Sequence, residues 1–360
     1  MSRQPTLFVA ISSHGFGHLA QTAPVVDALR RRLPSLRVVV QMAAPKELLA
    51  GFFPFPFEHL SRTADIGMLM SSSLDVQVEE SAAAYLDFHR DWEERVERQA
   101  ELLRRYHADL VLANVPYLLP VAAERLNIPA VVLCSLNWRD IYAAYCGSHP
   151  GSAAILRQME EAYRSATLFL QPTPSMEMAW LSNRRPIGPV ARRGRDRREE
   201  VERRLRLEPG QRLVLLSFGG IASTLPVMDW PAFPGIQFVI SGGEAVERTG
   251  FHSFETLGMP YIDLLCSVDA LITKPGYGSF AEAACNGTPV LYVPRDGWPE
   301  ATCLTAWLKE VLPCREISRA AFEKGTFVDE LLSLFREPPA VPVEPSGVGE
   351  AAEALATLLS

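Results

Sequence analysis

Two glycine-containing segments carry residues whose types and spacing suggest chemistry, and the clearer one spans 269–300. The apolar run 269–273 predicts a short buried strand, after which Gly276 and Gly278 turn the chain into a helix that we expect Ser279 to cap. The free N–H groups, the hydroxyl and the positive end of the dipole at such a helix start suit a phosphate. The segment is therefore a candidate anion site.

A glutamate in this segment suits sugar hydroxyls better than phosphate. Glu282 lies three residues after Ser279 on the same helix face, where its carboxylate can accept hydrogen bonds from two vicinal hydroxyls, such as those of a ribose. Glu300 ends the polar loop that follows a second apolar run, 289–293. Ligands sit at the carboxyl ends of strands in parallel sheets, so this edge is a candidate binding site. An ordinary helix cap with tight packing explains the same local pattern equally well.

The second glycine segment, 13–18, lies near the N-terminus and reads Ser-His-Gly-Phe-Gly-His. It follows a predicted strand and precedes a predicted helix, so Gly15 and Gly17 let the backbone approach a ligand at the helix start. The spacing differs from G-x-G-x-x-G and is a poor match to the dinucleotide-binding fingerprint.

Strands and helices alternate along the chain, which predicts an α/β protein with parallel sheets covered by helices on both faces. The predicted strands of the first half are 6–12, 36–42, 57–60, 109–113 and 129–134, and those of the second half begin with 212–217 and 236–241. The predicted helices include one from the glycine segment to about Arg32, a charged outer helix at 78–106, and helices at 261–267, 318–335 and 349–359.

The linker between the two halves is rich in arginine from 182 to 206, with 187–190 as the expected crossing. Glutamates interleave with these arginines, so a solvated helix with internal ion pairs is favoured over a nucleic-acid patch. Beyond it, Gly219 and Gly220 form a further glycine turn that is a candidate contact for a diphosphate. The predicted domains are 1–188, 189–345 and a C-terminal helix, 346–360, that packs back on the first domain.

Two further stretches of the first half are candidates for the same site. The polar loop after the third predicted strand contains Asp65, and loops of this length in a compact domain are often functional. Asn137, Trp138 and Asp140 follow the end of a predicted strand, so we expect them to face the same cleft as His18. Simple packing explains Trp138 equally well.

Composition excludes several classes of protein. A chain of 360 residues suits two domains, and its net charge of −7 argues against a nucleic-acid partner. No apolar run reaches the ~18 residues of a membrane span, and the start of the chain lacks a signal-peptide layout. The six cysteines show no C-x-x-C spacing, so we expect reduced core residues of a cytoplasmic protein, with neither a zinc site nor a cysteine nucleophile.

These motifs, in this order, resemble the GT-B glycosyltransferase superfamily, whose two doubly wound Rossmann-like domains face a central cleft. The segment from His14 to His18 is similar to its N-terminal glycine loop, and 276–279 with Glu282 to its donor-nucleotide motif. The resemblance is strongest to the glycosyltransferase-like N-terminal half of plant L-arabinokinases, and it extends to the lipid II-forming N-acetylglucosaminyltransferase. It covers residues 6 to about 310, without the sugar-kinase half of the plant proteins.

The resemblance implies a catalytic role for His18 as the general base that removes a proton from the acceptor hydroxyl. Such proton transfer contributes roughly 10²–10⁴-fold to the rate. The relatives orient this histidine with an aspartate at the end of the fourth strand, where this chain has Asn114. Asp140 is a candidate substitute for that aspartate, and His14 is a rival base.

The implied donor site belongs to the second domain, and the implied acceptor site to the first. The residues implied to bind the donor are Gly15, Gly17, Gly219, Gly220, Lys274, Gly276, Gly278, Ser279, Glu282 and Glu300. No Asp-x-Asp occurs, so we expect no metal and no cofactor, with backbone amides, helix dipoles and Lys274 or Arg295 stabilising the leaving diphosphate. Retaining relatives often carry a second glutamate where this chain has Val290, which favours an inverting reaction.

The implied function is transfer of a sugar from a nucleotide-sugar donor, with a UDP-sugar favoured, to an unknown acceptor. The alternatives are a nucleotide-sugar hydrolase or epimerase on the same scaffold, and a non-catalytic nucleotide-sugar-binding protein. We expect no nucleic-acid partner and no transmembrane segment. The aromatic run 52–57 is a candidate peripheral contact for a lipid-linked acceptor, although a core position at a strand entry is favoured.

Overall fold

The computed structural model describes residues 4–72, 74–219, 225–242 and 247–360. It divides into two compact units, each built around its own sheet. The first unit comprises Met1–Ser71, Asp75–Val190 and Pro345–Ser360, and the second comprises Ser72–Leu74 and Ala191–Glu344.

The first unit is a seven-stranded sheet, all of whose strand pairs are parallel, in the order β3-β2-β1-β4-β5-β6-β7. Its strands are β1 (Thr6–Ile11), β2 (Arg37–Gln41), β3 (Glu58–Leu60), β4 (Leu110–Asn114), β5 (Ala130–Leu133), β6 (Leu168–Pro172) and β7 (Arg184–Ile187). Its helices up to the linker are α1 (Phe16–Arg32), α2 (Lys46–Ala50), α3 (Val78–Arg90), α4 (Trp92–Arg105), α5 (Leu118–Glu124), α6 (Trp138–Cys146) and α7 (Ser152–Arg164).

The second unit repeats this plan with a six-stranded parallel sheet in the order β10-β9-β8-β11-β12-β13. Its strands are β8 (Arg212–Ser217), β9 (Ile236–Ser241), β10 (Phe251–Ser253), β11 (Ala270–Thr273), β12 (Val290–Tyr292) and β13 (Cys314–Glu316). Its helices are α8 (Arg198–Leu205), α9 (Tyr261–Ser267), α10 (Tyr277–Asn286), α11 (Pro299–Val311), α12 (Arg319–Lys324) and α13 (Val328–Leu334).

The uninterrupted apolar strands of the sequence are explained by burial on both sheet faces. In β8, Leu213 and Leu215 join a hydrophobic cluster on one face, whereas Val214 and Leu216 join the cluster on the other. Side chains of a strand alternate between faces, so a strand between two layers of helices is apolar at every position. The α/β prediction with two doubly wound sheets is confirmed.

The last helix, α14 (Ser346–Leu358), packs on the core of the first unit, where Ala351, Ala352 and Leu355 are buried. Its first turn touches the end of the linker at close range, because Gly347 N donates to Pro189 O at 3.1 Å. A Cβ added at Gly347 would lie 2.0 Å from the Gly188 carbonyl oxygen, so the approach requires glycine.

This contact predicts that Gly347→Ala destabilises the protein by about 1–3 kcal/mol, the cost of overpacking a rigid backbone contact. Gly349 lies in the same helix, and a Cβ added there would meet no atom within 4 Å, so Gly349→Ala is the matched control. That control should be neutral or more stable by up to ~1 kcal/mol, because alanine favours helix. Urea unfolding of both variants checks the prediction, and equal stability of the two would contradict it.

Two predicted helices differ in the structure, whereas the favoured core position of the aromatic run is confirmed. The helix expected at 78–106 is two helices that meet at Asp91, and it buries Tyr85 and Trp92, so it is not simply a solvated outer helix. The helix expected at 318–335 is interrupted at Gly325, which has a φ of 66° that favours glycine. The aromatic run 52–57 packs against the first core with Phe53 buried, so the lipid-patch hypothesis is not supported.

The arginine-rich linker forms the solvated helix α8, in which Arg198 pairs with Glu202 at 2.7 Å and Arg204 with Glu200 at 2.6 Å. All six cysteines are free thiols. Within the described ranges, no helix combines the length and the apolar character that crossing a membrane requires.

Candidate functional site

The first glycine segment leaves the start of α1 open. Gly15 precedes the helix with a φ of 123°, a conformation that glycine adopts most readily, and no side chain among the described residues caps the helix. A Cβ added at Gly15 or Gly17 would meet no atom within 4 Å. The backbone here can therefore approach a ligand closely, as the sequence predicts.

His18, in the first turn of α1, is buried with 7% of its surface exposed. Its Nδ1 lies 2.8 Å from Oδ1 of Asn114, at the end of β4. Burial lowers the pKa of His18 from 6.5 to about 4, against a smaller opposing effect of the Asn114 hydrogen bond. The imidazole is therefore neutral at pH 7, as a general base must be.

Two buried amides determine which nitrogen of His18 carries its proton. Asn114 Nδ2 donates to Gln21 Oε1 at 3.0 Å, and Gln21 Nε2 donates to Ser135 Oγ at 2.7 Å. Because these bonds direct the Asn114 Nδ2 group away from the histidine, Asn114 presents its Oδ1 as an acceptor to His18 Nδ1–H. The lone pair of His18 then lies on Nε2. Asn114 orients the imidazole as an aspartate would, but without a negative charge.

Asp65 joins this site through Trp138. The Asp65 carboxylate is buried and accepts a hydrogen bond of 2.7 Å from Trp138 Nε1. Burial raises the pKa of Asp65 to about 6, with hydrogen bonds from Trp138, Ser12 and Thr63 acting in the opposite direction. The centroid of the Trp138 ring lies 5.7 Å from that of His18 and 5.2 Å from that of His14. Trp138 thus both packs and binds a carboxylate.

The carboxylate of Asp140 has other partners. It accepts hydrogen bonds from Asn137 Nδ2 at 2.8 Å and from Trp180 Nε1 at 3.1 Å, and it pairs with Arg139 at 2.8 Å. Asn137 in turn caps α6 by accepting from the backbone of Asp140. The structure gives the position beside His18 to Asn114 and does not bring Asp140 to it.

In the second unit, α10 begins three residues before the start that a Ser279 cap would give. Gly276 is the N-cap in an extended conformation, and its carbonyl accepts from Phe280 N at 3.0 Å. Ser279 is therefore inside the first turn, three positions after the observed N-cap, and the prediction that it caps the helix is wrong. The flexible Gly276 already makes the turn that a serine cap would make, and the first N–H groups carry no side-chain cap within the described part of the chain.

Two cationic side chains follow adjacent strands at the start of α10. Lys274 comes directly after β11, and Arg295 follows β12, which pairs with β11. Burial, and then repulsion by Arg295, lowers the pKa of Lys274 from 10.5 to about 7. Arg295 is itself buried, with its guanidinium carbon 3.5 Å from the centroid of the Trp298 ring. Placing two cations together in a buried position suits a multiply charged anion.

Glu282 is buried one turn into α10, and its Oε1 accepts a hydrogen bond of 2.8 Å from Arg192 Nε. Burial raises the pKa of Glu282, and the Arg192 guanidinium opposes that rise. Glu300 is buried in the first turn of α11, where its Oε2 accepts from Trp298 Nε1 at 3.3 Å. Both glutamates therefore lie on the same sheet edge as Lys274. Gly219 has a φ of 81° and open space beside it, while Gly220 lies outside the described residues.

Comparison with known proteins identifies the architecture. No family model matches the chain. An L-arabinokinase of Arabidopsis thaliana is 25% identical over 305 residues, which is 83% of this chain but 29% of that protein. The glycosyltransferase of kitacinnamycin matches with a TM-score of 0.63 and 17% identity, covering 99% of this chain and 95% of that one. Arabidopsis thaliana UGT89C1 complexed with UDP matches with a TM-score of 0.63 and 14% identity, over 99% of this chain and 100% of that one.

The chain has the GT-B fold.

Within this GT-B chain, the sequence pointed to His18, Lys274, Glu282 and Glu300, of which Lys274 is half-buried and the other three are buried. It did not select Gln21 or Asp65 as site residues. The position of Asp65 in a long polar loop was the signal that could have identified it as a site residue. Gln21 gave none, because its role depends on a partner 93 positions away.

The Asn114 contact makes a specific prediction for this GT-B site. Asn114→Asp should raise the pKa of His18 by about 1–3 units, since an opposite charge at this distance stabilises the imidazolium. NMR titration of the histidine rings measures the change. His89, which burial also holds at a pKa of about 4 and which bonds to Gln158 and Tyr117, is the internal control and should not move. A His18 pKa that stays near 4 would exclude an effective Asn114–His18 contact.

Proposed function

We propose that this GT-B chain is a glycosyltransferase that moves a sugar from a nucleotide-sugar donor, with a UDP-sugar favoured, by an inverting and metal-independent reaction. The observation that carries the proposal is the pair of cations, the half-buried Lys274 and the buried Arg295, beside the start of α10, which no described side chain caps. Two neighbouring structures, of UGT89C1, were determined with UDP and with UDP-L-rhamnose.

The donor diphosphate would bind at Lys274, Arg295 and the backbone N–H groups that follow Gly276. Its negative charge offsets the repulsion between the two cations and restores the charged form of Lys274, so binding gains energy that the free protein lacks. The same groups stabilise the diphosphate as it leaves, when its charge increases. This accounts for the departure of the nucleotide without a metal ion.

Glu282 would bind the ribose of the nucleotide. One of its carboxylate oxygens is bonded to Arg192, which holds the side chain in place, and we assign the other to the ribose hydroxyls. Glu300 would bind hydroxyls of the transferred sugar from the first turn of α11. Gly219 supplies open backbone for close approach to the donor.

His18 would activate the acceptor. Its Nε2 removes the proton from the acceptor hydroxyl while the oxygen attacks the anomeric carbon and the bond to the diphosphate breaks. The imidazolium formed in this step has the neutral Asn114 amide as its partner at Nδ1, where a carboxylate would carry a charge. Proton removal is therefore less favourable than with a carboxylate partner, and Asn114 is also the observation that favours the second candidate, a non-catalytic nucleotide-sugar-binding protein.

Calorimetric titration with UDP, ADP, GDP and UDP-sugars, with and without EDTA, tests the proposal. We expect the uridine compounds to bind most tightly, with an affinity that EDTA does not change. Bound ligand at 100 times its Kd should also stabilise the fold by about 2.7 kcal/mol, which a thermal-shift measurement detects. Absence of binding by every nucleotide would refute the proposal. Release of free sugar at a rate independent of added alcohols would favour a hydrolase, and binding without turnover would favour the non-catalytic alternative.

A further inference from the structure

The first unit contains a cavity of about 480 Å³ to which the proposed reaction assigns no ligand. It lies between the end of β2, the loop after β3, helices α3 and α4 and the first turn of α5. Its volume is that of a pocket for a small organic molecule. Asp65 lines it, so this one carboxylate connects the cavity to Trp138 and thereby to His18.

Among the described residues, the cavity has one arginine that is both partly buried and without an ion-pair partner. Three arginines line it, and two of them are exposed at its mouth: Arg62, and Arg98, which pairs with Glu94 at 3.4 Å. Asp87, at the same wall, is paired with Arg90 at 2.8 Å. The third, Arg95, is half-buried, and no carboxylate of the described chain lies within ion-pair distance of it.

Arg95 is held by an aromatic ring. Its guanidinium carbon lies 4.6 Å from the centroid of the Phe88 ring, and its Nε is buried without a hydrogen-bond acceptor among the described residues. Contact with the ring face restricts the orientation of the guanidinium while its remaining N–H groups stay available. A buried donor without an acceptor is costly, and an anionic oxygen would remove that cost.

The rest of the lining is suited to a neutral, apolar body with a few polar contacts. Gln41 and Gln99 are buried and exchange hydrogen bonds of 2.8 and 3.3 Å, each using one of its two side-chain N–H donors. Apolar side chains, among them Ile66 and Leu118, form other parts of the wall. A purely inorganic anion would leave these surfaces unused.

We propose that this cavity binds a small organic anion, an apolar body with a carboxylate or phosphate head that Arg95 holds from above Phe88. The site uses residues of the first unit and does not depend on the glycosyltransferase proposal. An anion beside Asp65 adds a like charge near that carboxylate, so occupancy also affects the group that holds Trp138.

Binding of phenyl phosphate, benzoate and inorganic phosphate, measured by calorimetry on the full chain in saturating UDP, tests this proposal. The UDP occupies any nucleotide site that accepts a phosphate. We expect phenyl phosphate or benzoate to bind more tightly than inorganic phosphate, and the better of the two identifies the head group. Equal affinity for inorganic phosphate and phenyl phosphate would refute the requirement for an apolar body, and absence of binding by all three would refute the site.

Three variants locate the binding. Arg95→Gln should weaken it by about 10–150-fold, the value of hydrogen bonds to a charged group. Ala84→Leu fills the cavity without removing a charge and should also abolish binding, which covers the case that Arg95→Gln fails to fold. Arg104→Gln is the control, because Arg104 lies on the same helix as Arg95, pairs with Glu97 at 2.9 Å and does not line the cavity. Affinity retained in Ala84→Leu, or lost in Arg104→Gln, would place the anion elsewhere.

Discussion

Replacing His18 with glutamine should lower the rate of sugar transfer by about 10²–10⁴-fold while the affinity for the nucleotide stays within about twofold. The glutamine amide can still donate to Asn114 Oδ1, so the buried contact survives while the basic nitrogen is lost. Release of UDP from a UDP-sugar in the presence of an acceptor mixture measures the rate, and calorimetry measures the affinity. A variant with unchanged rate would remove His18 from the mechanism.

The matched control for this variant is His89→Gln. His89 is also held at a lowered pKa by burial, and it is bonded to Gln158 and Tyr117 rather than to any residue of the proposed site. A loss of rate in both variants would indicate a general effect on folding. A loss confined to the His18 variant would indicate a chemical role.

The pH dependence of the wild-type rate follows from the same contact. Burial holds the pKa of His18 near 4 in the folded protein, against 6.5 for the free side chain, so the base stays neutral down to about pH 5 and is lost as the pH falls further. The stability of the folded protein also falls with pH. The unfolded chain takes up this proton at a higher pH than the folded protein does, so the free energy of unfolding decreases between pH 6.5 and 4. A rate that already declines below pH 7 would point to a different base.

Replacing Lys274 with methionine should weaken UDP binding by about 10–150-fold, because the diphosphate loses a buried charge-assisted hydrogen bond. The free protein should at the same time become more stable below pH 7, where methionine removes a charge that burial and Arg295 disfavour. These two effects have opposite signs, so loss of binding cannot be ascribed to unfolding. Calorimetry and urea unfolding measure them.

The lowered pKa of Lys274 also predicts proton uptake on binding. With a pKa of about 7, Lys274 is largely neutral at pH 8.5 in the free protein, and a bound diphosphate raises that pKa. UDP affinity should therefore fall as the pH rises from 7 to 9, and titrations in buffers of different ionisation enthalpy should show a proton taken up. Lys274→Met should abolish both effects, whereas Lys309→Met, at an exposed position of α11, should leave them intact. Proton uptake that persists in Lys274→Met would refute the assignment.

The contact between His18 and Asn114 has a consequence for the range of acceptors. A histidine oriented by a neutral amide is a correctly placed base whose conjugate acid is poorly stabilised. Such a base is best suited to acceptor hydroxyls that lose their proton readily, because less positive charge then accumulates on the imidazole. A comparison of phenolic and aliphatic alcohols as acceptors would show this preference in the wild type and reduce it in Asn114→Asp.

Local patterns in the sequence were sufficient for the architecture. The strands 212–217 and 236–241 and the helix 261–267 have the predicted bounds, because apolar runs and their polar boundaries are read over a few neighbouring residues. The open glycine start of α1 follows from Gly15 in the same way, since a φ of 123° favours glycine whatever surrounds it. Where two local signals competed, as at Gly276 and Ser279, the helix begins directly after the glycine.

The partners of the site residues depended on the tertiary structure alone. Asn114 reaches His18 because the register of β1 against β4 places Ile11 beside Asn114, and no local pattern contains that register. Arg192 reaches Glu282, and Trp138 reaches Asp65, across 90 and 73 positions of the chain. A hydrogen bond is directional and short, so its partner is chosen by which groups the packed sheets bring within about 3 Å, whereas a hydrophobic pattern only requires that a face be buried. The sequence therefore determined the two sheets and the types of residue at their edges, and the fold decided which of those residues act together.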